Sequence, residues 1–143
     1  MRKLIFIILI FSLCCGKKGR LTLPEKRLPF RVCFMESEIR YGRVFIKGKI
    51  VGKEERFKLS DIIGCRVYYE KYSFENPPCV LCPKYYIKFK EVKGKVSEGR
   101  LFMCELPWIK KRGIYYIKVR LLGKGNAIGP DSEEVRIEIP YDL

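Results

Sequence analysis

Residues 114–122 read IYYIKVRLL. In an extended chain Tyr115, Ile117, Val119 and Leu121 fall on one side, and Tyr116, Lys118 and Arg120 on the other. Successive side chains of a strand point to opposite faces, so this period of two predicts one buried and one wet face, as in an antiparallel sheet. The pattern recurs upstream. Arg43–Val51 (RVFIKGKIV) turns Val44 and Ile46 one way. Residues 65–72 set Cys65, Val67 and Tyr69 against Arg66, Tyr68 and Glu70. Residues 85–92 set Tyr85, Ile87 and Phe89 against Tyr86, Lys88 and Lys90. Residues 100–106 put Phe102, Cys104 and Leu106 on one face. Residues 134–139 set Val135, Ile137 and Ile139 against Arg136 and Glu138, and residues 31–35 add a short first strand. Turn signals at Tyr41-Gly42, Lys93-Gly94-Lys95, Lys111-Arg112-Gly113 and 123–130 separate the runs. Seven short strands so punctuated predict an all-β sandwich or barrel. Only residues 54–63 leave room for a turn of helix.

Composition narrows the chemistry. The chain has 143 residues, a formal charge of +14 and no histidine. Triads and dyads built on imidazole are therefore excluded. The paired carboxylates Glu54-Glu55 and Glu133-Glu134 read as surface charge, and no Gly-rich phosphate loop follows a strand. The expectation is a non-catalytic protein without a cofactor or a resident metal. Glutamine is absent, only Asn76 and Asn126 carry side-chain amides, and Lys and Glu are abundant. That balance points to a thermophilic source.

The N-terminus predicts export. Arg2 and Lys3 precede an apolar run over residues 4–13 that only Ser12 interrupts. Crossing a bilayer takes about 20 residues. This run instead fits the apolar segment of a secretory signal. Ser12-Leu13-Cys14-Cys15-Gly16 resembles the lipobox of bacterial lipoprotein signals, which implies a lipid on Cys15; Cys14 is the weaker acceptor, because bulky Leu13 would precede the cut. Residues 1–14 then form the signal peptide, 15–30 a lipidated tether marked by Pro24 and Pro29, and 31–143 the folded domain. Cleavage removes Arg2 and Lys3 and lowers the charge from +14 to +12. A chain this basic is drawn to anionic surfaces. The expected partners are the membrane through the lipid, and an anionic envelope polymer or envelope protein. Nucleic acid is excluded by compartment.

Two resemblances extend this reading. Leu106-Pro107, Gly113, Tyr115, Ile117, Val119, Asn126, Gly129 and Ser132 resemble the E–F corner, F strand and F–G loop of a fibronectin type III domain. Gly64-Cys65-Arg66-Val67-Tyr68-Tyr69 is similar to that family's C strand. The resemblance implies a seven-stranded, immunoglobulin-like β-sandwich in the order A, B, C, C′, E, F, G. It also implies that Tyr115 is the corner tyrosine, whose hydroxyl bonds back to the backbone. The family usually has a tryptophan in strand B, where this chain has Gly48; Phe45 or Phe34 is expected to fill the gap, and Trp108 lies in the E–F region. Cys15-Gly16-Lys17-Lys18-Gly19-Arg20-Leu21 and Pro24 resemble the start of small bacterial outer-membrane lipoproteins, with Arg20 where those usually have proline. Together the features resemble a bacterial lipoprotein with one fibronectin type III-like domain. Gly16, in place of the aspartate linked to inner-membrane retention, leans towards the outer membrane, facing the periplasm or the surface.

Two candidate sites remain. Cys79-Val80-Leu81-Cys82-Pro83 lacks the histidine of a haem c motif. The expected reading is a disulfide between Cys79 and Cys82, formed in an oxidising compartment; a metal site, a redox pair and free thiols stay open. A metal would need further ligands from Cys33, Cys65 or Cys104, or from carboxylates. Those three cysteines cannot all pair with one another, and Cys65 and Cys104 are read as core packing. The second site is a face. Tyr68, Tyr86 and Tyr116, with Arg66, Lys88, Lys118 and Arg120, would form a basic, aromatic surface able to bind protein or sugar. A solvated sheet with cross-strand pairs accounts for the same residues. The function expected is therefore a membrane-anchored, non-catalytic binding or structural module of the cell envelope. The alternative is an envelope metal- or redox-active protein using Cys79 and Cys82.

Overall fold

The computed structural model describes residues 26–79 and 81–143. The expected signal peptide, Cys14 and Cys15 lie outside the described residues. Nine strands are present among those described: β1 (Arg31–Arg40), β2 (Arg43–Val51), β3 (Ile62–Tyr72), β4 (Lys88–Lys93), β5 (Ser97–Glu98), β6 (Leu101–Glu105), β7 (Gly113–Gly123), β8 (Ala127–Ile128) and β9 (Val135–Ile139). One sheet has the order β1-β2-β6-β5, and the other β4-β3-β7-β8, with β9 also on β7. All of these pairings are antiparallel. This is the A-B-E and C′-C-F-G arrangement of a fibronectin type III-like sandwich.

The alternating residues build the core between the sheets. Val44, Ile46 and Ile50 from β2, with Phe102 and Cys104 from β6, meet Cys65 and Val67 from β3 and Ile117, Val119 and Leu121 from β7; all are buried. The β1–β2 hairpin turns tightly because Tyr41 (φ 49°) and Gly42 (φ 71°) both take the left-handed conformation, which matches the twist of paired strands. Residues 54–63 supply one turn of 3₁₀ helix at Leu59–Asp61, and the Asp61 carboxylate accepts from the Lys58 N–H at 2.9 Å.

Three expectations are corrected. The first strand does not stop at Met35. A bulge between Cys33 and Glu36, with Phe34 at φ 53°, shifts the register. Val32 is buried before it; after it Ser37 and Ile39 pair with Ile46 and Val44 but stay exposed. A bulge breaks the period of two, so alternation could not be followed through it. The same bulge decides the tryptophan question. A Cβ on Gly48 would lie 2.7 Å from Val32 Cγ1 and 3.0 Å from the Cys33 carbonyl oxygen. No large side chain fits there. Phe34 points away at 71% exposure and Phe45 lies on the outer face; Phe102, paired with Gly48, fills the core instead.

The folded domain also begins before residue 31. Leu28 and Phe30 are fully buried, and Arg27 bridges Ile128 in parallel. The Leu28 N–H donates to the Ile128 carbonyl at 3.0 Å, and the Ile128 N–H to the Lys26 carbonyl at 2.9 Å. Residues 26–30 therefore belong to the domain. Leu28 and Phe30 are spaced as in a strand, but Pro29 between them reads as a linker signal in the sequence.

Candidate functional site

The outer face of the β4-β3-β7-β9 sheet carries most of the expected surface. Register places Arg66 opposite Arg120, Tyr68 opposite Lys118 and Glu70 opposite Tyr116, all on the solvent side. On the other flank Phe89 stands opposite Tyr68 and Glu91 opposite Arg66. Tyr68, Tyr86, Lys118, Arg120 and Asp131 line one cleft of about 190 Å³.

Its polar groups are held by neighbours. Arg66 donates from Nε and Nη2 to the Glu91 carboxylate, at 3.0 and 2.7 Å, and from Nη1 to the Tyr68 hydroxyl at 3.3 Å. The same guanidinium lies 4.8 Å from the centroid of the Phe89 ring. Lys118 sits 5.2 Å over Tyr86, and Arg120 5.8 Å over Tyr68 while pairing with Asp131. The Tyr86 hydroxyl donates to Glu134. Burial first, then that bond to a carboxylate, pushes the Tyr86 phenol well above the usual tyrosine range. Cations parked over aromatic rings and paired at their edges make a stiff, amphipathic surface.

Two members of the expected face are corrected. Tyr116 points outward but is buried. Lys84 covers it, with Nζ 4.3 Å from the ring centroid, and Tyr72 packs edge-on at 5.8 Å. Lys84 itself is nearly enclosed and pairs with Glu134 at 3.1 Å. Lys88 belongs to the opposite side. It pairs with Tyr69, whose ring packs against the core, and Phe89 takes the outer position. The reason is that β4 begins at Lys88, not Tyr85. Residues 84–87 precede the strand, with the Ile87 N–H on the Glu70 carboxylate at 3.2 Å. Tyr86 therefore reaches the outer face without sharing the strand's alternation. Lys88 and Lys90 become inward-pointing charges on an edge strand, a device that discourages edge-to-edge pairing.

Sequence reading missed Lys84, Phe89, Asp131 and Glu134. Glu134 looked like one of a solvated acidic pair, and only its position beside β7 gives it Lys84 and Tyr86 as partners.

The Cys79–Cys82 loop lies in the connection between the adjacent strands β3 and β4. Both cysteines are exposed, unlinked thiols. The Cys82 N–H donates to the Cys79 carbonyl at 3.2 Å, closing a turn. A side-chain hydrogen bond between the thiols holds Cys79 below and Cys82 above the ordinary thiol range. Among the described residues no three Cys, Asp or Glu side chains gather as metal ligands.

At the E–F corner the Tyr115 hydroxyl donates to the Lys111 carbonyl at 2.9 Å. Burial raises the Tyr115 phenol above its usual range. Ser132 is buried in the F–G connection; its Oγ accepts from the Val119 N–H at 2.8 Å and donates to the Glu133 carbonyl at 2.7 Å.

A solved fibronectin type III domain agrees with this architecture. The third fibronectin type III domain of the human KIAA0343 protein superimposes with a TM-score of 0.52 at 16% identity, covering 90% of this chain and 94% of that one. A myokine structure is similar with a TM-score of 0.47 at 13% identity, over 79% of this chain and 99% of that one. No protein-family model matches the sequence. No curated protein matches it either. The fold is therefore fibronectin type III-like.

Proposed function

We propose that this protein is a lipid-anchored, non-catalytic binding or structural module of a bacterial cell envelope, held at the membrane through Cys15. Fibronectin type III-like sandwiches typically serve as binding or structural modules, which supports the domain's part in this reading. The basic, aromatic outer sheet supports an anionic envelope polymer or an acidic envelope protein as partner. The single observation that carries the proposal is the cleft where Tyr68, Tyr86, Lys118 and Arg120 converge beside Asp131. Four side chains from three segments meet there, with rings and cations interleaved. The lipobox and the basic, proline-marked stretch after Cys15 support anchoring, with an outer-membrane lean from Gly16.

Mass spectrometry of the mature N-terminus tests the anchor. A diacylglyceryl-modified Cys15 is the expected result. An unmodified chain beginning at Met1 overturns the export claim. Cys15→Ala should move the protein from the membrane to the soluble fraction.

A further inference from the structure

We infer that Cys65 and Cys104 are the two halves of a disulfide that staples the two sheets of the sandwich together through its core. Their Sγ atoms lie 3.6 Å apart, on residues separated by 39 positions. Cys65 is on β3 of one sheet and Cys104 on β6 of the other, and both are buried, at 0% and 3% exposure. The Cys65 thiol donates to Cys104 Sγ, and the Cys104 thiol donates to the Glu105 carbonyl at 3.5 Å. The two sulfurs thus already face each other. A disulfide needs them at about 2.05 Å, an approach of about 1.5 Å shared between two side chains and two sheets.

The other cysteines of the domain do not compete for this pair. Cys33 stands opposite Lys49, on the outer face of the other sheet from β3. Cys79 and Cys82 lie exposed in the β3–β4 loop. Linking Cys65 to Cys104 closes a long loop, which restricts the unfolded chain far more than the short ring between Cys79 and Cys82 would.

The oxidation is written in full as follows. Two S–H bonds break and one S–S bond forms. Two electrons and the two protons pass to a disulfide oxidant, whose own S–S bond breaks to give two thiols; the oxidant is a small-molecule disulfide such as oxidised glutathione or a dithiol oxidoreductase in its disulfide form. The attacking species is a thiolate. Hydrogen bonding to Cys104 and burial push the Cys65 thiol up in the folded state, so thiolate is scarce once the core has closed. The bond therefore forms while the sheets are docking, and it then resists reduction because no reductant reaches it.

The test refolds the reduced, full-length protein in a glutathione redox buffer, unfolds it without reductant, and blocks free thiols with a maleimide. Tryptic digestion should give the peptides spanning residues 59–66 and 101–110 as one linked species, separated by reductant. Recovery of both peptides fully maleimide-labelled overturns the inference, as does linkage of either to Cys33, Cys79 or Cys82. A second measurement guards against misfolded variants. The thermal midpoint of the oxidised wild type should fall when a strong reductant is added during unfolding. A Cys65→Ala/Cys104→Ala double variant should melt at the lower midpoint with or without reductant. A wild-type midpoint indifferent to reductant also overturns the proposal.

Discussion

The ammonium of Lys84 sits 4.3 Å from the centroid of the Tyr116 ring and 3.1 Å from the Glu134 carboxylate. One side chain from the β3–β4 loop thus pins that loop across β7 to the residue just before β9. Its chain is nearly enclosed while Lys88, four positions on, is exposed. A partly buried cation–π contact with an ion pair contributes on the order of 1–2 kcal/mol. Lys84→Ala should lower stability by about that much in urea unfolding and should open the 73–87 loop to proteolysis. Lys88→Ala should cost no more than about 0.5 kcal/mol. Equal effects from the two substitutions would refute the pinning role.

The corner at Tyr115 has a pH signature. Tyr115 and Tyr86 both have phenols raised above their usual range in the fold. In the unfolded chain they titrate at about pH 10. Stability is therefore fully present below about pH 10 and is lost as pH rises past it, because the native state holds protons that the unfolded state releases. Tyr115→Phe should cost about 1 kcal/mol at neutral pH, through the lost bond to Lys111, and should shallow the alkaline fall. An alkaline limb unchanged in both Tyr115→Phe and Tyr86→Phe would remove these residues from the effect.

If the outer sheet binds anionic polymer, register predicts which lysine matters. Lys118→Glu reverses a charge in the cleft, and Lys88→Glu reverses one on the opposite side of the sheet. Binding to lipopolysaccharide or an acidic polysaccharide at low salt should weaken at least tenfold for Lys118→Glu and change little for Lys88→Glu. Both variants alter net charge equally. A matched loss in both would mean that the protein is merely basic, with no localised site.

Much of this fold is legible in the chain because β2, β3, β6, β7 and β9 alternate cleanly, and alternation reports which face is buried. The Tyr115 hydroxyl lies 2.9 Å from the Lys111 carbonyl, in the geometry of a corner tyrosine. What failed to read was local. A bulge at Phe34 hides half of β1, since one extra residue inverts the pattern. The β4 register misled because Tyr85 to Phe89 alternates on paper while residues 84–87 are not in the strand. Pro29 disguised a packed segment as linker. The cleft was half legible: Tyr68, Lys118 and Arg120 follow from alternation on β3 and β7, but Asp131 and Glu134 come from a connection whose path sequence does not give.

Gly48 should tolerate no side chain. A Cβ there meets the β-branched Val32 at 2.7 Å and a backbone carbonyl at 3.0 Å. Neither yields easily, because Val32 is itself buried. Gly48→Ala should cost about 1–3 kcal/mol, the usual range for overpacking a core. Introducing the family's tryptophan, Gly48→Trp, should prevent folding. A soluble, cooperatively melting Gly48→Trp protein would show that the bulge at Phe34 can be expelled.

The boundary of the domain gives the sharpest test of the packing. A fragment covering residues 31–143 keeps every strand of both sheets but loses Leu28 and Phe30, at 1% and 0% exposure, and the hydrogen bonds between residues 26–28 and Ile128. Burying a large apolar side chain contributes about 1.5–3 kcal/mol. Two such losses, about 3–6 kcal/mol, with the core left open beside Gly123 and Gly129, match the low end of a typical domain's stability, about 5–15 kcal/mol. Residues 26–143 should therefore melt cooperatively, whereas 31–143 should be unfolded or should lose several kcal/mol in urea. Equal midpoints for the two fragments would show that residues 26–30 add nothing to the folded domain. Arg27 is fixed against Ile128, so the chain enters the domain at the end of the sandwich that carries the β7–β9 connection. Lengthening the stretch before Lys26 should then leave stability unchanged, while Leu28→Ala should lower it by about 2–5 kcal/mol, as for other buried leucines.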